Sequence, residues 1–433
     1  MKRFFLYAMM VAGALASCSQ SENGDVPEGG SENSKPEADK ILISAVAPSV
    51  SVNVTRSSGT IGAEGTKLNT GWSDQELYIF GYRKDEKTGV AQITTEPSDW
   101  VFNTQYQKAI AHKGASDSEG STTLNWVDAT TGNEDATLYY PRSNYYDFFG
   151  YYADEASSVD NVAVANGTAS VPFVITGSED LMIAKTTPSS GAVETDRLFG
   201  SYAARHGVQP VMTFEHQLTR LVFKVATPAP ANPTSPTTTE QKNIEEAKNV
   251  YVKSIEIESK TTGNLIFAYT APDVEPLAWT NNDKSFLSLK ERNSGEMQAL
   301  NTGVTIPTTL PATKAEFTGT LGKYPASEDG TLVGEALLVE PDASEYQMKV
   351  TVMQYYDGSG KLIPEARREY TYPLDKTKLL ASAVTGGAGT TTTFKRSHSY
   401  NITITVYGVQ DIKITAQLGD WVFGGDLPID PEM

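Results

Sequence analysis

Apolar and polar residues alternate with a period of two along most of the chain after residue 40. Ile41, Ile43 and Ala45 alternate with Leu42 and Ser44, and Val50, Val52 and Val54 with Ser51, Asn53 and Thr55. The rhythm returns at Leu221, Phe223 and Val225, at Ile255 and Ile257, and at Tyr346, Met348, Val350 and Val352. It closes the chain at Tyr400, Ile402, Ile404 and Val406, then at Ile412, Ile414, Ala416 and Leu418. Successive side chains of a strand point to opposite faces, so each segment predicts a strand with one buried and one wet face. Residues 77–82 are apolar throughout and read as a fully buried strand. Turn clusters such as Asp357-Gly358-Ser359-Gly360 separate the segments. The expected fold is all-β, built of antiparallel β-sandwiches.

A run of Pro, Thr, Ala and Ser over residues 227–239 interrupts this pattern. Proline cannot join a central strand, so the run predicts an exposed, extended linker. It divides the chain into an N-terminal sandwich domain at 40–227, a linker at 228–240 and a C-terminal sandwich domain at 241–433. A short helix is expected from Glu240 to Lys248. Ahead of the first strand, residues 18–39 are polar, with almost no large apolar side chain, and predict a disordered tether.

The first residues carry a separate signal. Lys2 and Arg3 precede an apolar stretch, Phe4 to Ala16, that is too short to span a bilayer. Leu15-Ala16-Ser17-Cys18 then resembles the lipobox of bacterial lipoproteins. That resemblance implies cleavage between Ser17 and Cys18, with residues 1–17 as signal peptide and the Cys18 thiol lipidated. The other reading is an ordinary secretory signal that contains a cysteine. Cys18 is the one cysteine of the chain, so no intramolecular disulfide forms.

Charge and chemistry then narrow the function. The 433 residues carry a formal net charge of −18, which argues against nucleic acid as a partner and against a basic membrane-binding patch. The four histidines, His112, His206, His216 and His398, show no metal-ligand spacing. His216 lies beside a strand and reads as a packed structural histidine. Gly358-Ser359-Gly360-Lys361 lacks the first glycine of a phosphate loop and reads as a hairpin turn. Adjacent carboxylates such as Asp154-Glu155 sit in polar loops. No catalytic residue, metal or cofactor is expected, and no enzyme. The aromatic run from Tyr139 to Tyr152 has two readings: sandwich core, or an exposed platform on which sugars stack.

Several of these features, taken in order, resemble the fimbrillins, subunits of type V pili of Gram-negative anaerobes. They are the lipobox, a first strand ending in Thr55-Arg56, and the aromatic run Tyr139-Tyr140-Pro141 to Tyr152. Phe214-Glu215-His216-Gln217-Leu218, Phe394 to Tyr400, and Leu418-Gly419-Asp420-Trp421 before an acidic tail complete the set. The resemblance implies two tandem transthyretin-like, Greek-key sandwich domains, export as a lipoprotein to the outer membrane and cell surface, and polymerisation by strand exchange. In that family an Arg-specific protease cuts after the first strands. The matching bond here is Arg56-Ser57, in a polar, flexible context; the plainer reading of Arg56 is a solvated residue at a strand end.

Removing residues 40–56 would uncover a groove that had held about six apolar side chains, on the order of 10 kcal/mol of burial. It would also leave two unpaired strand edges. Ile412, Ile414, Ala416 and Leu418 have the pattern of a donor strand for a neighbouring subunit's groove, which predicts head-to-tail assembly. The Gly-, Pro- and Asp-rich tail from Gly424 to Met433 cannot itself be that strand. If the donor segment instead completes its own chain's second sandwich, the protein is a capping or tip subunit. The expected partners are other fimbrial subunits, the outer membrane through the lipid anchor, and a receptor on a host or bacterial surface. A tip adhesin and a glycan-binding outer-membrane lipoprotein remain as alternatives.

Overall fold

The alternating segments fold as strands because a branched or aromatic residue at every second position packs against one side of a pleated sheet. A computed structural model describes residues 40–47, 72, 74–112, 121–141, 144–154, 156–187, 210–271, 273–364, 367–375, 393–408 and 411–419. The first half contributes β1 (Ser44–Val46), β2 (Gln75–Arg83), β3 (Gln107–Ala111), β4 (Ser121–Thr123), β5 (Asn125–Trp126) and β6 (Tyr146–Tyr152). It continues with β7 (Ala163–Ala165), β8 (Thr168–Val174), β9 (Met182–Thr187), β10 (Val211–Thr213), β11 (Glu215–His216) and β12 (Thr219–Ala226). After helix α1 (Thr238–Ala247) come β13 (Val250–Ser259), β14 (Thr262–Ala268), β15 (Leu277–Trp279), β16 (Ser285–Ser288), β17 (Lys290–Asn293) and β18 (Glu296–Ala299). The last are β19 (Thr331–Val339), β20 (Glu345–Gln354), β21 (Arg367–Asp375), β22 (Ser399–Gly408) and β23 (Asp411–Gly419). The all-β expectation is met.

The first sheet has nine strands in the order β4-β1-β10-β9-β6-β2-β3-β5, with β11 added on β9. Its two end strands, β4 and β5, are separated in sequence by Leu124 alone. Residues 121–126 therefore pass from one end of the sheet to the other and draw the two ends together. The enclosed core includes Ile43, Ile79, Trp126, Phe148, Met212 and Phe214. The opposite face of β2 and β6 is buried as well. Phe80 and Tyr151 pack on Phe267 of β14, with ring centroids 4.5 and 4.8 Å apart. This double burial explains the unbroken apolar run at residues 77–82.

The second half carries two four-stranded sheets, β19-β12-β22-β23 and β16-β13-β20-β21, whose inner faces share one hydrophobic cluster. A further sheet, β15-β14-β8-β7, takes two strands from each side of the proline-rich run. β12 precedes that run but pairs with β19 and, in parallel, with β22. A boundary at residue 227 thus separates β12 from the strands it pairs with. Alternation reveals which side of β12 is buried, but not which sheet holds it. Among the described strands two pairings, β1 with β10 and β12 with β22, are parallel, where purely antiparallel sandwiches were expected. Both join strands far apart in sequence, which leaves ample chain for the crossover that parallel neighbours need.

The helix starts inside the expected linker, because Thr237 and Glu240 form a capping box. The Thr237 hydroxyl accepts from the Glu240 amide, and the Glu240 carboxylate accepts from the Thr237 amide.

The interior also holds a buried polar cluster of Asp180, His216, Arg220 and Ser399. His216 Nδ1 is 2.7 Å from Asp180 Oδ2, both side chains being almost fully buried. Arg220 donates to Ser399 Oγ at 3.0 Å. Burial pushes the Arg220 guanidinium down to about 10, against the pull of the Asp180 and Glu335 carboxylates. The sequence reading of His216 as a packed histidine did not foresee its partner.

Candidate functional site

The first described segment, residues 40–47, is threaded into the nine-stranded sheet. Ile41, Ile43, Ala45 and Ala47 are fully buried, while Leu42 between them is 43% exposed. The alternation read from the sequence thus sets which side faces the core. β1 lies between β4, to which it is antiparallel, and β10, to which it is parallel. Ala45 stands opposite Thr122 on one side and Met212 on the other.

Hydrogen bonds tie the segment along its length. The Ile41 amide donates to Leu138 O at 2.8 Å and the Ser44 amide to Pro210 O at 3.0 Å. Leu124 and Phe214 donate their amides to Ile43 O and Val46 O at 2.9 and 3.0 Å. Two indoles complete the set: Trp126 Nε1 donates to Ile41 O at 2.8 Å and Trp72 Nε1 to Ala45 O at 3.1 Å. A buried indole needs an acceptor, and these carbonyls supply it. Neither tryptophan was singled out from the sequence. Each stands outside the alternating pattern that marks strands, and only its need for a partner could have drawn attention to it.

Trp72 packs edge-on against Phe214, with ring centroids 5.3 Å apart, and Trp126 against Phe102 at 5.5 Å. The slot that holds residues 40–47 is therefore walled by aromatic rings. Most of the aromatic run beside it is core: Tyr140, Tyr146, Phe148, Phe149 and Tyr151 are buried, which leaves those rings no open face for a sugar, while Tyr139, Tyr145 and Tyr152 are half-buried.

One histidine sits at the rim. His112, just after β3, places Nδ1 2.5 Å from Asp74 Oδ1 while Nε2 contacts Glu134 Oε2. The Asp74 contact, followed by that with Glu134, holds the ring above the ordinary histidine range, against a small desolvation effect. Among the described residues, no group of three or more His, Cys, Asp or Glu is arranged to hold a metal ion.

At the other end of the chain, β23 contains Ile412, Ile414, Ala416 and Leu418. It pairs antiparallel with β22 of its own chain, from Ser399 opposite Gly419 to Gly408 opposite Asp411. Among the described residues it is the last strand of its sheet. The structure thus places Ile41, Ile43 and Ala45 in one sheet and the predicted donor residues in another. Ser17, Cys18, Val50, Val52, Val54, Arg56 and Ser57 lie outside the described residues.

A family model described as fimbrillin-like matches residues 69–421. No curated protein sequence matches the chain. Among solved structures, a candidate cell adhesion protein from Bacteroides uniformis is 15% identical with a TM-score of 0.41, covering 90% of this chain and 100% of its own. The fimbrial anchor protein Mfa2 from Porphyromonas gingivalis is 8% identical with a TM-score of 0.31, covering 88% of this chain and 99% of its own. A fimbrial assembly protein from Parabacteroides distasonis is 8% identical with a TM-score of 0.34, covering 88% and 98%. The family assignment rests on the sequence match, which spans most of the chain. The chain belongs to the fimbrillin-like family.

Proposed function

We propose that this protein is a non-enzymatic structural subunit of a bacterial surface fimbria, joined to its neighbours by strand exchange at the slot that residues 40–47 occupy. In this reading Cys18 carries the lipid that anchors the precursor in the outer membrane. Cleavage between Arg56 and Ser57 then frees residues 40–56, the slot opens, and a partner strand enters.

The observation that carries the proposal is a match between the slot's occupant and β23. Ile41-Leu42-Ile43-Ser44-Ala45-Val46-Ala47 aligns without a gap on Ile412-Lys413-Ile414-Thr415-Ala416-Gln417-Leu418. The two isoleucines and the alanine fall at the positions that are buried in the slot. Lys413 and Gln417 replace Leu42 and Val46, so the donor is the more amphipathic of the two strands. Leu418 in place of Ala47 asks the slot to widen at one end, at a cost of about 1–3 kcal/mol.

Energetics support the order of events. The two buried isoleucines and two alanines of the plug contribute on the order of 5 kcal/mol of burial. A cut that separates them from the body lets them dissociate, and the emptied slot then favours any strand of the same pattern. Among the described residues, β23 is paired along one side, with β22. In the slot a strand is paired on both sides.

The nine-residue stretch of β23 docked on its own β22 favours a second reading, in which the protein caps or tips the filament and accepts a strand without donating one. N-terminal sequencing of the surface form tests the processing step. Ser57 at the N-terminus is the expected result for an assembled subunit. A surface form that begins at Cys18 in assembled fimbriae contradicts it.

A further inference from the structure

The two loops that clamp the plug are bridged by a single histidine. Trp72, which holds the Ala45 carbonyl, stands two residues before Asp74. Leu138 and Tyr139, which pair with Ile41 and Lys40, follow Glu134 in the loop after β5. His112 touches Asp74 with one ring nitrogen and Glu134 with the other. We propose that His112 is a pH-operated latch that holds both clamping loops against residues 40–47 when its ring is protonated and releases one of them when the ring is neutral. The use made of this latch rests on the reading of residues 40–47 as a removable strand.

The chemistry follows from the ring. An imidazolium has two N–H donors and can serve two carboxylates at once. A neutral imidazole has one donor, and its second nitrogen presents a lone pair to a carboxylate, which repels it. The neutral ring therefore holds one loop and loses the other.

The groups around the ring are mainly carboxylates. Asp74 comes from the residue before β2 and Glu134 from the loop after β5. Glu76 on β2 and Asp154 after β6 line the same recess as Asp74. Among the described residues near it is one cation, Lys108 on β3, which pairs with Glu76 at 2.8 Å. Asn125 on β5 adds a long contact, 3.5 Å, to Glu134. Because the ring is held above its ordinary value, the latch is fully shut below the unperturbed histidine range. It opens as pH rises through the raised folded-state value.

Hydrogen exchange on the intact, uncleaved chain tests this. Protection of the Ile41 and Ser44 amides is measured at about pH 6 and about pH 9, corrected for intrinsic rates and referred to the Val252 amide of the second half. The wild-type ratio is expected to fall about fivefold between the two, the scale of a part-exposed ion pair. His112→Gln should be weakly protected at both pH values, and His112→Lys strongly protected at both. A wild-type ratio that does not change with pH overturns the proposal, as does a pH dependence that persists in either variant. If His112→Gln fails to fold, His112→Lys alone still decides the matter. No partner strand or protease enters the measurement, so a failed latch and a failed strand exchange give separate results.

Discussion

The indole of Trp126 reaches the carbonyl of Ile41, 85 residues earlier in the chain, with a hydrogen bond of 2.8 Å. It joins the end of β5 to the start of the plug. Both partners are buried, so neither has water to fall back on.

Trp126→Phe keeps most of the ring's packing and removes the donor. The Ile41 carbonyl then loses a buried partner, which should lower stability by about 1–3 kcal/mol. Urea unfolding checks this: the midpoint should fall at an unchanged slope.

Within the plug, neighbouring positions should behave oppositely. Ile43 has no exposed surface, so Ile43→Ala should cost about 2–5 kcal/mol. Leu42 is 43% exposed, so Leu42→Lys should change stability by about 0.5 kcal/mol or less. Thermal or urea unfolding of the two variants side by side separates them, and equal losses would mean that the alternation does not set the plug's orientation.

Lys84 and Asp147 form a buried ion pair, with Nζ 3.2 Å from Oδ1. Burial pushes the Asp147 carboxyl up, against the attraction of Lys84 and Lys185. Lys84→Met should cost about 3 kcal/mol at neutral pH, because it leaves the carboxylate buried with less compensation. An acid whose folded pKa is raised loses stability as pH rises through that value, so the loss should shrink on acidification, when Asp147 takes up its proton. Unfolding curves across the acid range test the sign.

Gly81, near the end of β2, leaves no room for a side chain. A Cβ there would stand 2.2 Å from Val101 Cγ1. Gly81→Ala should therefore destabilise by about 1–3 kcal/mol through overpacking, seen as a lower unfolding midpoint.

Much of the fold was legible because burial writes itself into period-two alternation. The strands around Ile255, Val350, Ile402 and Ile412 lie where that rhythm placed them. The run at residues 77–82 was legible as doubly buried for the same reason. Sheet membership was not legible. The alternation at Leu221, Phe223 and Val225 is the same whichever neighbour β12 takes, so its pairing with β22 could not be read. At the site, the buried side of residues 41–45 was legible from side-chain type. The anchors Trp72 and Trp126 and the clasp of His112 were not, because they depend on contacts between segments 22 to 85 residues apart. The shared Ile-x-Ile-Ser/Thr-Ala order of residues 41–45 and 412–416 gains its meaning once the burial of the first is known.

An intersubunit cross-link tests the central claim most directly. Ala45 stands opposite Thr122, so a donor strand in the same register would bring Ala416 opposite Thr122. Two proteins, one with Thr122→Cys and one with Ala416→Cys, each also carrying Cys18→Ser, are mixed under oxidising conditions before and after trypsin. Residues opposite one another on paired strands are close enough for a disulfide. A cross-linked dimer that forms after cleavage and not before is the predicted result. No cross-link after the plug has been cut away, or the same yield with the plug intact, would contradict it.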